Sequence, residues 1–148
     1  MMWEDAYLRR IHEVIAEHGH AVQYVRGDPE TGAPPFGYTV GLHQRPGHDY
    51  ELAVAGLGPE ASVGVLKSLA EALRESDTQP SDGLEIGGLL EHGLALRLRP
   101  VSHPEDLGVI GVVYGAIPPV WQVLWPDPAN RFPGDPEYNM AHRLQPML

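Results

Sequence analysis

The stretch Phe36-Gly37-Tyr38-Thr39-Val40-Gly41-Leu42 constrains the fold of this chain more than any other. Large and small side chains alternate along it. Phe36, Tyr38, Val40 and Leu42 fall on one side, and Gly37, Thr39 and Gly41 on the other. A two-residue period is that of a β-strand. The large set can bury into a core. The small set leaves a bare strip beside the backbone, and glycine within a strand often marks close approach by a ligand or another chain segment. The strip therefore predicts either a packed helix or a bound small molecule, and the sequence leaves both open.

The neighbouring segments frame this strand. Trp3, Tyr7, Ile11, Val14, Ile15 and His18 recur at spacings of three and four, which predicts an amphipathic helix over 3–18 ended by Gly19. A strand is expected over 20–26 and a turn-rich loop over 27–35. Tyr50 to Leu57 is apolar on both faces apart from Glu51, the pattern of a central strand. Gly58-Pro59-Glu60 opens a helix, with Val63, Leu66, Leu69, Ala70 and Leu73 as its expected buried stripe. Leu84 to Leu90 fits a short strand and a turn, and 93–101 reads as a half-buried strand with Leu94, Leu96 and Leu98 inward. Ser102 or His103 is placed to cap a helix running into the β-branched Val109–Tyr114, and Val120–Trp125 is a last strand. The expected fold is α+β: a single domain over 1–148, a largely antiparallel β-sheet packed by two or three helices, and an irregular, Pro-rich C-terminal tail over 126–148 wrapped on the body.

Composition narrows the function classes. The chain has no cysteine, so disulfides, thiolate metal sites and cysteine nucleophiles are excluded. The formal charge is −10, from 10 Lys and Arg against 20 Asp and Glu. That balance argues against nucleic acid or an anionic membrane as partner and would steer a basic protein towards the chain. No apolar run approaches the ~20 residues of a membrane span, and the acidic start Met1-Met2-Trp3-Glu4-Asp5 does not resemble a signal peptide. A cytoplasmic location is expected. No GxSxG elbow, P-loop or GxGxxG motif occurs.

Three segments together resemble the bacterial family DUF4262, a domain of unknown function. They are His18-Gly19-His20-Ala21-Val22; Phe36 to Leu42 with Glu51-Leu52-Ala53-Val54-Ala55-Gly56-Leu57; and Gln122-Val123-Leu124-Trp125-Pro126-Asp127 with Arg131-Phe132-Pro133. The resemblance runs over nearly the whole chain. It departs at His20, where the family usually has an aromatic residue, and at Gly134, where tryptophan is common. The resemblance implies neither an activity nor a cofactor.

Function must then be read from individual residues. Glu51 interrupts an apolar strand and must be paired, hydrogen-bonded or shifted in pKa; Arg97 or Arg99 is an available partner, and Thr39 lies across a hairpin from it. Asp127 can cap the turn that follows it and pair with Arg131, and Gln122 needs partners for its amide. The expected function is a small-molecule-binding domain, an accessory enzyme of a metabolic pathway being one form of it. Its expected lining is Tyr38, Thr39, Gly41, Glu51, Gln122, Trp125, Asp127 and Arg131. One alternative is an acidic, immunity-type module that binds a basic protein. The other is a metal-dependent enzyme using His43, His48, Asp49 and Glu51, whose imidazole and carboxylate ligands suit zinc or ferrous iron.

Overall fold

The computed structural model describes residues 2–148. Three helices, α1 (Met2–His18), α2 (Pro59–Glu75) and α3 (Gly108–Tyr114), accompany six strands. The strands are β1 (Ala21–Val25), β2 (Phe36–Val40), β3 (Glu51–Ala55), β4 (Glu85–Ile86), β5 (Leu96–Pro100) and β6 (Val120–Leu124). The side chains of Trp3 and Glu4, expected on and off the stripe of α1, lie outside the described residues.

The strands form one mixed sheet in the order β1-β2-β3-β6-β5-β4. All neighbours are antiparallel except β3 and β6 at the centre, which run parallel with Glu51 opposite Val120 and Ala53 opposite Gln122. All five residues of β3 are buried, as expected for a strand paired on both edges.

Both faces of the sheet are covered. On one, α2 packs Leu66, Leu69, Ala70 and Leu73 onto Leu52, Val54, Leu96, Leu98 and Val123. Burying a leucine completely stabilises by about 1.5–3 kcal/mol, so these contacts outweigh any helix propensity in fixing α2. On the other face, Ile11 of α1 and Ile110 of α3 meet Tyr38, Val40, Ala53 and Val120. Beyond them Phe132, wholly buried, fills the space over Ala95 and Leu124.

The central alternating segment departs from its expected course in two respects. Strand β2 stops at Val40, because Gly41 adopts a left-handed conformation (φ +95°) and turns the chain into a single 3-10 turn, Leu42–Gln44. Leu42 consequently joins the core beneath α2, while Tyr38 and Val40 face α1 and α3. The strip of small residues is also closed. A Cβ on Gly37 would lie 3.3 Å from Ser62 Cβ of α2, and one on Gly41 would lie 3.0 Å from Ile15 of α1. Thr39 has no exposed surface. The protein's own helices fill the space, so the proposed guest beside Thr39 and Gly41 has no room.

Two helices differ in detail from expectation. On α2, Ser62 is buried in place of Val63, which is 44% exposed. Ahead of α3, Pro104–Asp106 form one 3-10 turn, the helix starts only at Gly108, and neither Ser102 nor His103 caps it through its side chain. The half-buried strand is shorter than expected and begins at Leu96.

Candidate functional site

Glu51 sits at the start of β3 with no exposed surface. Ionised, a carboxylate costs several kcal/mol to bury unless its oxygens are satisfied. Here they are. Oε1 accepts the Thr39 hydroxyl at 2.7 Å and the Leu42 N–H at 3.1 Å. Oε2 accepts the His43 N–H at 2.9 Å and contacts His43 Nδ1. Burial pushes the Glu51 carboxyl above its ordinary range, against the downward pull of the hydrogen bonds from His43 and Thr39. Opposite a carboxylate, which only accepts, Nδ1 is the donor of that contact. Tyr114 meets His43 edge-on, with centroids 4.6 Å apart, and burial raises its phenol pKa. Neither Arg97 nor Arg99 reaches Glu51. Arg97 pairs instead with Asp135 at 2.8 Å and Glu85 at 3.1 Å.

The four expected metal ligands separate because of strand alternation. Glu51 faces α3 with His43. Tyr50 and Leu52 face α2, and His48 goes with them, its Nδ1 2.9 Å from the Tyr50 hydroxyl. Asp49 is exposed. Among the described residues, no group of three or more histidine or acidic side chains is placed to hold a metal ion.

The remaining expected site residues hold chain segments together. The Tyr38 hydroxyl accepts the Val109 N–H at 3.4 Å and tethers α3. Gln122 donates to Pro146 O and accepts from Leu148 N–H, both at 2.8 Å. The Trp125 indole donates to Ala55 O at 2.8 Å, and its backbone exchanges two 2.8 Å bonds with the Gln145 amide. Asp127 accepts N–H bonds from Ala129, Arg131 and Asn139, each at 2.9 Å, and pairs with Arg131 at 3.1 Å. Burial pulls its carboxyl pKa upward, but the bonds from Arg131, Asn139 and Ala129 outweigh that and hold it below the ordinary carboxylate range.

The turn that Glu51 clamps leads to an open cleft. Arg45 closes the turn with its N–H on Leu42 O at 2.9 Å, and its guanidinium Nη1 reaches His20 Nδ1 at 3.5 Å. An arginine only donates, so Nδ1 is the acceptor and the neutral His20 ring carries its proton on Nε2. Burial, and after it the charge of Arg45, lowers the His20 pKa and keeps the ring neutral near pH 7. His20, just before β1, and Val22 of β1, Val14 and His18 of α1, and Val63 and Lys67 of α2 line a cleft of about 360 Å³. They come in pairs at the local period, four apart on the helices and two apart where the chain enters the strand. That volume falls within the range of small-molecule sites.

Of this second group, Val14, His18 and Val63 read in sequence as parts of buried helical stripes, and Lys67 carries no local signal, because only the packing of α1 and α2 on one sheet edge brings these residues together.

These features define an α+β protein with a mixed six-stranded sheet and a cleft beside its β1 edge. The family model described as "Domain of unknown function (DUF4262)" matches residues 14–139, and the chain belongs to that family. No curated protein and no solved structure matches the chain. His20, which lies within the matched range, is one of the residues that line the cleft.

Proposed function

We propose that the protein is a small-molecule-binding domain whose ligand is a small organic monoanion with an apolar body. One observation carries this reading. His20 and Lys67 open onto the same cleft, and neither the His20 Nε2–H nor the Lys67 ammonium has an acceptor among the described residues. Two donors on one cleft suit a carboxylate, and Val14, Val22 and Val63 suit an aliphatic or aromatic body. The chain carries a net charge of −10, and Glu71 acts on His20 as Lys67 does, so a preference for an anion rests on short-range contacts rather than on the protein's overall field. Glu51 acts behind the site: it fixes the turn that presents Arg45, and Arg45 sets the tautomer of His20.

The probe is hexanoate, with hexylamine as its cationic counterpart. Hexanoate is expected to shift the His20 and Lys67 side-chain resonances with a millimolar Kd, and hexylamine to leave them unmoved. Lys67→Ala should weaken hexanoate about tenfold, or ~1.4 kcal/mol. Equal binding of the two probes, or unchanged hexanoate binding by Lys67→Ala, would overturn the reading.

A further inference from the structure

A second cavity, of about 370 Å³, lies at the opposite end of the sheet, where β5, the chain leading into β4, and the segment after β6 meet. Arg97 and Arg99 project into it from the same face of β5. They differ in one decisive respect. Arg97 is fully engaged by Asp135, Glu85 and the ring of Phe132, whose centroid lies 4.3 Å from its guanidinium carbon. Arg99 forms no ion pair among the described residues, and its Nη1 is buried without a hydrogen-bond partner.

A buried guanidinium nitrogen left unpaired costs free energy, and such a group calls for an oxygen to meet it. The cavity holds an opposite charge as well. Asp82 lines it, exposed, and has no ion-pair partner among the described residues. Arg99 and Asp82 thus border one space without touching each other. Arg97 is shared between two carboxylates, so the walls as a whole carry one more negative charge than positive. That balance disfavours a dianion such as phosphate and favours a ligand that brings both signs.

From this geometry we infer a second binding site, for a small zwitterion of the amino-acid type. Its carboxylate meets Arg99, its ammonium meets Asp82, and an aliphatic side chain lies over Leu124, Pro133 and Met147. The cleft beside β1 plays no part in this proposal.

The test uses L-leucine, with 4-methylpentanoate and 3-methylbutylamine as the same skeleton lacking one charge each. The readouts are the amide resonances of Gly83 and Gly134, which border this cavity and not the other cleft. Leucine is expected to shift both with a millimolar Kd, and each single-charge analogue to bind at least about tenfold more weakly. Arg99→Met should abolish the leucine shifts. Asp82→Asn should weaken leucine about tenfold and leave 4-methylpentanoate unchanged, which separates loss of a contact from loss of the fold. If 4-methylpentanoate matches leucine, the site is a plain carboxylate receptor and the zwitterion proposal is wrong. If no probe moves Gly83 or Gly134, the site does not exist.

Discussion

The hydroxyl of Thr39 donates to Oε1 of Glu51 at 2.7 Å, and Thr39 Oγ1 itself accepts the backbone N–H of Leu52 at 2.9 Å. One side chain on β2 thereby satisfies a buried carboxylate and a strand amide of β3. The link fixes where β2 ends, and with it the turn that carries His43 and Arg45.

Thr39→Val keeps the shape and removes the hydroxyl. Glu51 then lacks one donor and Leu52 one acceptor, in a place water does not reach. The expected loss is about 2–4 kcal/mol, because two buried polar groups are orphaned at once. Thr39→Ser keeps the hydroxyl and should lose less than about 1.5 kcal/mol. Urea unfolding of the two variants compares them directly, and equal losses would show that the methyl group matters rather than the hydrogen bonds.

The raised pKa of Glu51 gives a pH signature of defined sign. The folded state holds this proton more tightly than the unfolded chain. The associated stability is therefore fully present below the ordinary value of 4.5 and declines as pH rises through the folded pKa. Glu51→Gln cannot titrate, and its amide NH2 opposes an N–H donor, so it should be less stable at pH 4. Its deficit against the wild type should narrow as pH rises from there. A deficit that widens would mean that the ionised form is the one the fold favours.

His20 and His48 predict the opposite slope at higher pH. For both, burial and then the charge of Arg45 lower the pKa below 6.5. Neutral imidazole is the folded form, so the stability these rings contribute is present above pH 6.5 and lost as pH falls through the lowered values. Urea midpoints measured downward from pH 7 should fall over this range. In His48→Gln the fall should be shallower. An identical profile in the variant would exclude His48 as a contributor.

Gly56 tests how the last residues are held. A Cβ at this position would lie 2.0 Å from the carbonyl oxygen of Leu144, a backbone atom that cannot swing aside. Gly56→Ala should displace the segment around Leu144 and break the Gln145 bonds to Trp125, at a cost of at least ~2 kcal/mol. Hydrogen exchange at the Trp125 amide should accelerate. Unchanged exchange would mean that the segment shifts without leaving the sheet.

Much of the fold is legible in local sequence, and the reason is periodicity. The stripe Leu66, Leu69, Ala70, Leu73 and the apolar run of β3 each state their own environment within a few residues. What resists reading is orientation and partnership. Val63 fits the stripe of α2 as well as Leu66 does, yet it faces the cleft, and no local pattern separates the two. Leu42 follows the alternation of β2 but is turned over by the left-handed Gly41. Thr39 was identifiable as a neighbour of Glu51 because a hairpin brings them together. The arginines named as partners were not, because Arg97 answers to Asp135, which is far away in sequence. The cleft was the least legible of all, since its three valines look like ordinary core residues.

The parallel pairing at the centre of the sheet has a consequence for biosynthesis. Glu51, Leu52 and Ala53 meet partners that leave the ribosome only after Pro119. Until then a nascent chain exposes the apolar flank of β3 as an open edge, ready to recruit any other extended segment nearby. Closure of the sheet centre therefore waits for β6, and a message truncated before Val120 should yield an aggregating or chaperone-bound product rather than a smaller stable protein.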